Sequence, residues 1–448
     1  MNQYNKTCEN KFTSSYYLKS NKNKITKFHN LNRLKEDYYN ENNSSKSAFL
    51  CINLTELVSI INSYDYRYFY DITKELGLEL NKLTNNNISF YQGFEFSFIY
   101  FVKDLLKLEN FNEFEQGIKK IVFKYLFYEP VTVGIGVIKF NSSDNFENTI
   151  KKGFIAASYA IKNDKELINI KHYNSKIEEI YERENLIKHE FSNMIRDNVY
   201  ENLNVYFQPI ISIKDQRIYA YEALARYNSY VLGPISPVEF IPILEKTKLI
   251  IQIGRKIIDD SLDFLKKVNE IDPLIKVSIN VSIIHLIQDD FLEMLFEKIK
   301  YYKVDFKNII IETTETISYN RIKDIKNIIM KLREAGVMVA IDDFGTGNSS
   351  LILGMNLNVD FIKIDRSFIS DINNPLDKGA IVTDIISIGH RLNQIVVGEG
   401  VETREQLDYL TNNNCDLVQG YFFQKGTSRN EALEYLINFK YESTTTNN

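Results

Sequence analysis

Between residues 204 and 422 eight short β-rich runs recur with amphipathic segments between most of them. They are Val205–Gln208, Ala220–Leu224, Val277–Val281, Ile309–Glu312, Val337–Ile341, Phe361–Ile364, Ile395–Gly398 and Leu417–Phe422. Helical spacing marks Arg321–Ala335, which stops at Gly336, and Lys378–Leu392. Strands that alternate with helices build parallel sheets, because a parallel pair needs a long crossover. Eight such units fit a (β/α)₈ barrel, a fold that takes about 250 residues.

A barrel of this kind carries its chemistry at the carboxyl ends of its strands. Reading the end of each run gives Gln208, Glu222, Asn280, Glu312, Asp342 with Asp343, Lys363, Glu399 and Gln419. Strands buried on both faces read as apolar runs, and these do until their last residues. Five of the groups are carboxylates. At one barrel mouth they repel: two carboxylates about 4 Å apart cost on the order of 4 kcal/mol at an effective dielectric near 20. One lysine does not balance five acids. Two divalent cations do, and an all-oxygen ligand set suits Mg²⁺ or Mn²⁺. A metal pair about 3.5–4 Å apart is a device for in-line attack on phosphate esters. The residues alone therefore point to a metal-dependent hydrolase of a phosphorylated or phosphodiester substrate.

The rest of the composition mainly excludes. Lys and Arg number 54 and Asp and Glu 59, a net charge of −5. That balance carries no footprint for DNA. The cysteines, Cys8, Cys51 and Cys415, have neither the number for a disulfide framework nor the spacing for a zinc site. No run approaches a membrane span, and the polar N-terminus lacks the apolar core of a signal peptide. A cytoplasmic location is expected. His285 and His390 sit in helical patterns and read as structural or surface residues and not as ligands.

From Tyr221-Glu222-Ala223-Leu224-Ala225-Arg226 onward the C-terminal half resembles the EAL domains, the family of cyclic di-GMP phosphodiesterases. The resemblance includes Phe207-Gln208-Pro209-Ile210, Ser278-Ile279-Asn280-Val281-Ser282, Glu312-Thr313-Thr314-Glu315, Asp342-Asp343-Phe344-Gly345-Thr346-Gly347, Lys363-Ile364-Asp365, Glu399-Gly400-Val401-Glu402 and Gln419-Gly420-Tyr421. It implies that Glu222, Asn280, Glu312 and Asp342 ligate metal, and that Asp343 and Glu399 surround a second metal and the attacking water. It implies that Lys363 contacts the water or the phosphate. Gln208, Leu224, Arg226 and Gln419 match substrate contacts. Glu315, Phe344, Gly345 and Glu402 fall in loop segments of a regulatory kind, the one after the fifth strand coupling metal binding to dimerisation. The implied reaction opens cyclic di-GMP to linear pGpG, and the implied assembly is a homodimer through this domain. A rival from another class is a catalytically silent receptor for the same dinucleotide.

The N-terminal half is read as mixed α and β: a strand at Ala48–Leu54, a helix at Tyr68–Leu83, a hairpin across Ile88–Phe101, a helix at Phe111–Phe127, a strand at Val131–Phe140 and a helix at Thr149–Lys162. Asn53-Leu54-Thr55, Gln92-Gly93-Phe94-Glu95-Phe96 and Thr132-Val133-Gly134-Ile135-Gly136 resemble, in order, a GGDEF domain, the diguanylate cyclase fold. The chemistry is missing: Gln92 stands where a glycine makes room for the nucleotide, Phe94 where an acid binds metal, and Asn53 where another metal-binding Asp belongs. The expectation is a degenerate domain that regulates or dimerises its neighbour, with a folded spacer as the plain alternative and GTP binding as a further reading. The expected organisation is a tail at 1–28, the GGDEF-like domain at 29–172, a helical connector at 173–200, the barrel at 201–440 and a tail at 441–448.

Overall fold

The computed structural model describes residues 21–23, 26–41, 46–57, 66–94, 96–108, 110–127, 131–141, 144–163, 166–314, 322–345, 357–370, 372 and 378–439. Contacts divide the chain into two units, Met1–Asn185 and Leu186–Asn448. The helix Ser175–Asp197 runs through the division.

The first unit is a five-stranded sheet in the order β2-β3-β1-β4-β5. Its strands are β1 (Ser47–Asn53), β2 (Ile88–Gln92), β3 (Ser97–Val102), β4 (Val133–Phe140) and β5 (Ile168–His172). β1 runs antiparallel to both β3 and β4, while β4 and β5 are parallel and joined through the helix Phe146–Asn163. The sheet separates two cores. Leu76, Leu80, Ile118 and Val122 of the helices Tyr66–Asn81 and Phe111–Leu126 lie on one face with Leu50 and Ile52; Leu34, Tyr38, Phe146 and Ile150 lie on the other with Phe49 and Cys51. Two elements here were not read from the sequence, the helix Leu31–Asn40 and β5. Thr26 and Phe28, assigned to the tail, are packed: Thr26 donates to Gln92, and the Phe28 ring stands edge-on to Phe90 and Phe98.

Gly134 and Gly136 of the β4 motif have a steric cause. A Cβ on either would lie 2.0 Å from the Ala157 carbonyl oxygen or 1.9 Å from that of Gly153. The helix Phe146–Asn163 rests directly on bare backbone there.

The second unit is a closed barrel of eight strands: β6 (Leu203–Ser212), β7 (Arg217–Ser229), β9 (Lys276–Asn280), β10 (Ile309–Thr314), β11 (Met338–Phe344), β12 (Phe361–Ile364), β13 (Ile395–Glu399) and β14 (Leu417–Gln419). A short β8 (Gly233–Ile235) pairs outside it with the end of β7. Each of the eight expected runs contains a strand, the last ending at Gln419 and not at Phe422. The expected (β/α)₈ plan needs one correction. β6 is antiparallel to both β7 and β14, and a tight turn, with no helix, joins it to β7. An apolar run reads alike in either direction, so the sequence pattern did not reveal the reversal.

The barrel is filled from below. Ile210, Ala220, Ile310, Ala340, Phe361, Val397 and Leu417, one from each of seven strands, form a small core inside the ring of strands. A much larger core between strands and helices surrounds it. Phe207 of β6 belongs to that outer layer, its ring stacked on Phe264 of the helix Ile250–Ile271 at 3.6 Å between centroids.

Candidate active site

Strand side chains alternate faces, so the residue two positions toward the mouth from each inner-core residue also points inward. Those positions are Gln208, Glu222, Glu312, Asp342, Lys363, Glu399 and Gln419. For six strands the step is forward in sequence; for β6, which runs the other way, it is backward from Ile210. Gln208 thus reaches the mouth from mid-strand and not from a carboxyl end, which corrects the expectation. β9 adds Ser278 and Asn280, likewise two apart.

Lys363 is the hub. It is 1% exposed. Its Nζ lies 2.6 Å from Glu399 Oε1, 2.8 Å from Glu312 Oε2, 3.4 Å from Asp342 Oδ1 and 3.5 Å from Glu222 Oε1. Asn280 Nδ2 donates to Glu222 Oε1 at 2.7 Å, and Gln419 Nε2 donates to Glu222 Oε2 at 2.6 Å and to Gln208 Oε1 at 3.2 Å. Gln208 Nε2 donates in turn to the Gln424 carbonyl at 3.1 Å. Ser278 Oγ donates to Glu312 Oε1.

Four carboxylates share this one cation, so positive charge is short at the mouth. Burial drives the Glu312 carboxyl up to about 8, with Lys363 opposing and Glu222 and Asp342 adding to the rise. Burial likewise holds Glu399 well above the carboxylate range. Glu222 goes the other way: burial works against its charge, but Lys363, Gln419 and Asn280 outweigh it. Burial disfavours the lysine charge as well, yet Asp342, Glu222, Glu312 and Glu399 keep it protonated.

Two overlapping groups of acids offer ligand oxygens within 4.8 Å of one another: Glu222, Glu312 and Asp342, and then Asp342, Asp343 and Glu399. Asp342 belongs to both. Consecutive residues of a regular strand point to opposite faces, so Asp343 needs a backbone departure to join its neighbour. It has one: Asp343 adopts φ +55°, and the pairing of β11 with β12 shifts register between Ile341 and Phe344. A left-handed backbone is uncommon for a residue other than glycine and marks positions held by their surroundings. The donor set, carboxylates with the Asn280 amide, fits hard divalent cations.

The remaining expected residues divide. Arg226 and Leu224 lie on the part of β7 beyond the cluster, on the same face as Glu222. Phe344 is buried in the outer core. Gly345 follows with φ +100°, and a Cβ there would meet Phe368 at 3.0 Å. Glu402 is not in the cluster; it pairs with Arg366 at the surface at 2.7 Å. Glu315 lies outside the described residues, as do residues 346–356. His285 is packed under Gly254 and edge-on to Phe291, and His390 pairs with Asp416. Sequence reasoning missed Ser278; its spacing of two from Asn280 was the available signal.

A family model described as EAL domain matches residues 190–426, more than half of the chain. Among curated relatives, the probable cyclic di-GMP phosphodiesterase PdeG of Escherichia coli is 31% identical over 234 residues, which is 52% of this chain and 46% of that protein. The cyclic di-GMP phosphodiesterase NbdA of Pseudomonas aeruginosa is 30% identical over 258 residues, 57% of this chain and 33% of that protein. The chain spans less than half the length of these relatives. A solved structure of the PaMucR phosphodiesterase in complex with c-di-GMP superposes with a TM-score of 0.51 at 28% identity, covering 55% of this chain and 99% of that one. The EAL enzyme Bd1971 in its cGMP-bound form gives 0.53 at 30%, covering 58% and 71%. Among the described residues no helix is long and apolar enough to cross a membrane.

Proposed function

We propose that the chain, which belongs to the EAL-domain family, hydrolyses cyclic di-GMP to linear pGpG at the mouth of the barrel. The observation that carries this reading is the charge deficit there: four carboxylates within 3.5 Å of one buried ammonium group, with Asp343 added by a bent backbone. Side chains placed for fold stability alone would be neutralised locally. These are not, and two relatives similar over this region are named as a probable cyclic di-GMP phosphodiesterase and a cyclic di-GMP phosphodiesterase.

Glu222, Asn280, Glu312 and Asp342 would hold one Mg²⁺ or Mn²⁺ ion, and Asp342, Asp343 and Glu399 a second. When bound, such a pair supplies positive charge to the phosphate and acidity to water. The protein's own groups do the rest. Arg226 offers a guanidinium fork to a phosphate. Lys363 holds Glu312 and Glu399 in place and neutralises part of the charge that grows on the phosphate oxygens. Water attacks phosphorus and the P–O3′ bond breaks; a proton of the water would pass to the Glu399 carboxylate and from there to the departing 3′ oxygen, which leaves as a hydroxyl. The linear product carries a 5′-phosphate and a free 3′-hydroxyl.

The first unit enters this reading as a degenerate GGDEF-like regulator without cyclase activity. The test of the main reading is chromatography of pGpG after incubation with cyclic di-GMP and Mn²⁺. The full chain should form pGpG, and Glu222→Ala should not. Tight binding without turnover would instead identify a receptor.

A further inference from the structure

The ribbon of β6 and β7 carries an aromatic residue on the face that looks into the mouth. Gln208 and Tyr206 are two apart on β6 and share that face, while Phe207 between them is committed to the outer layer. Across the ribbon Gln208 stands opposite Glu222, Tyr206 opposite Leu224 and Asn204 opposite Arg226. Tyr206 and Arg226 are therefore diagonal neighbours, a separation that long side chains span. They meet: the Arg226 guanidinium carbon lies 5.7 Å from the centroid of the half-buried Tyr206 ring.

Arg226 has few other restraints. Its Nη1 donates to the carbonyl of Ala225 at 2.9 Å, and among the described residues no carboxylate pairs with it. A free arginine side chain of this length samples many rotamers, and ordering it on a ligand is costly. The opposite side is bounded by Gly426, where a Cβ would stand 3.3 Å from Arg226 Nη2 and 3.1 Å from Leu224 Cδ1. Glycine leaves the guanidinium its room, and the ring gives it a seat.

We propose that Tyr206 is a positioning residue for substrate: its ring holds the Arg226 guanidinium in the orientation that receives a phosphate of the cyclic dinucleotide. The inference rests on the function proposed above. It assigns Tyr206 no contact with the reacting atoms, so its effect belongs to binding and runs through Arg226. A cation–π contact of this kind corresponds to between about threefold and thirtyfold in affinity.

The experiment is a double-mutant cycle on the full chain, read by KM and kcat for cyclic di-GMP with Mn²⁺ and by equilibrium binding of cyclic di-GMP with Ca²⁺ in place of Mn²⁺. Tyr206→Leu should raise KM and weaken binding within that range while leaving kcat within about twofold. Tyr206→Phe, which keeps the ring, should restore both. In an Arg226→Ala background Tyr206→Leu should add nothing further. The rise in Tm on adding Mn²⁺ should be the same in Tyr206→Leu as in the unmodified chain, because the acids lie deeper in the mouth; a merely structural role would move that readout too. Multiplicative losses in the two backgrounds, a fall in kcat alone, or no rescue by Tyr206→Phe would overturn the assignment. If the unmodified chain neither binds nor turns over cyclic di-GMP, the function itself is wrong and the assignment falls with it; if it does either, the cycle judges Tyr206 alone.

Discussion

Asn53 closes strand β1 of the first unit, and Glu312 stands near the end of β10 in the second. Both are buried and both sit where a sheet presents polar groups, but their surroundings differ in kind. Asn53 is satisfied at home: its Oδ1 accepts from the Thr55 backbone N–H at 3.0 Å and its Nδ2 faces Ser158 Oγ at 3.4 Å. Gln92, at the end of β2, is likewise bonded to Thr26. Glu312 has Lys363 and Ser278, yet it competes for that lysine with Glu222, Asp342 and Glu399. A neutral amide with its partners in place asks nothing of a ligand. A carboxylate in a crowd short of positive charge does. The contrast separates a strand end that completes a fold from one that awaits a cation.

The largest test of the contrast is to remove its hub. Lys363→Ala leaves four carboxylates facing one another, and breaking a buried ion cluster costs about 3–5 kcal/mol. The metal-free variant should melt well below the parent, and Mn²⁺ should recover much of the difference, because the ions then supply the missing charge. Turnover should fall by about 10²–10³-fold. Thermal melts with and without Mn²⁺ check the first part; a metal-free melt equal to the parent's would mean the acids are not crowded at all. A smaller effect is expected from Ser278→Ala, which frees one oxygen of Glu312 from its donor. Partners of metal-ligating groups are worth about 10–100-fold in metal affinity, so the Mn²⁺ concentration for half-maximal activity should rise by that factor with saturated kcat nearly unchanged.

Much of this was legible in the sequence, and what was hidden was hidden for physical reasons. Strand positions and acids could be read together because a doubly buried strand is apolar until its mouth-facing end, so Glu312 and Glu399 break the pattern in Ile309–Glu312 and just after Ile395–Gly398. The direction of β6 could not be read, because Val205–Gln208 has no polarity of its own. Ser278 was missed because a small hydroxyl carries no charge and suits any strand. The entry of Asp343 into the cluster depends on one left-handed backbone angle, which Asp-Asp-Phe does not announce. In the first unit the helix Leu31–Asn40 escaped because only Leu34 and Tyr38 of its ten residues are buried, and β5 because Asn169, Lys171 and His172 leave it only two apolar residues.

His285 supplies a buried titrating group against which the acid cluster can be compared. It is 1% exposed, its Nε2 has no hydrogen bond among the described residues, and burial lowers its pKa to about 4, with Arg255 adding to the effect and Asp290 opposing it. The ordinary value in an unfolded chain is about 6.5. The unfolded chain therefore binds a proton that the folded chain resists, and this histidine's contribution to stability is complete above pH 6.5 and lost as the pH falls from there toward 4. The full span corresponds to about 3 kcal/mol. The parent should lose Tm between pH 7 and pH 5, and His285→Phe or His285→Leu should flatten that part of the profile even if its Tm at pH 7 is lower. An unchanged slope would assign the loss to other groups.

The smallest expected effect lies in the first unit, at Asn53. Asn53→Asp places a carboxylate where the GGDEF resemblance puts a metal ligand, but the pocket around it stays as it is: Thr55 N–H still donates, and Gln92 still holds Thr26. The substitution should cost about 1 kcal/mol, the order of one imperfectly satisfied buried polar group. It should leave pGpG formation within about twofold of the parent, since the barrel has cores of its own. Neither Mn²⁺ nor GTP with Mn²⁺ should raise its Tm beyond the shift seen in the parent. That is the sharp form of the comparison, because one carboxylate among satisfied neighbours creates no deficit of positive charge, whereas the barrel mouth has four acids to one lysine. A GTP-dependent rise in Tm confined to Asn53→Asp would show that the end of β1 was one residue away from being a nucleotide site, and the two strand ends would then differ in degree and not in kind.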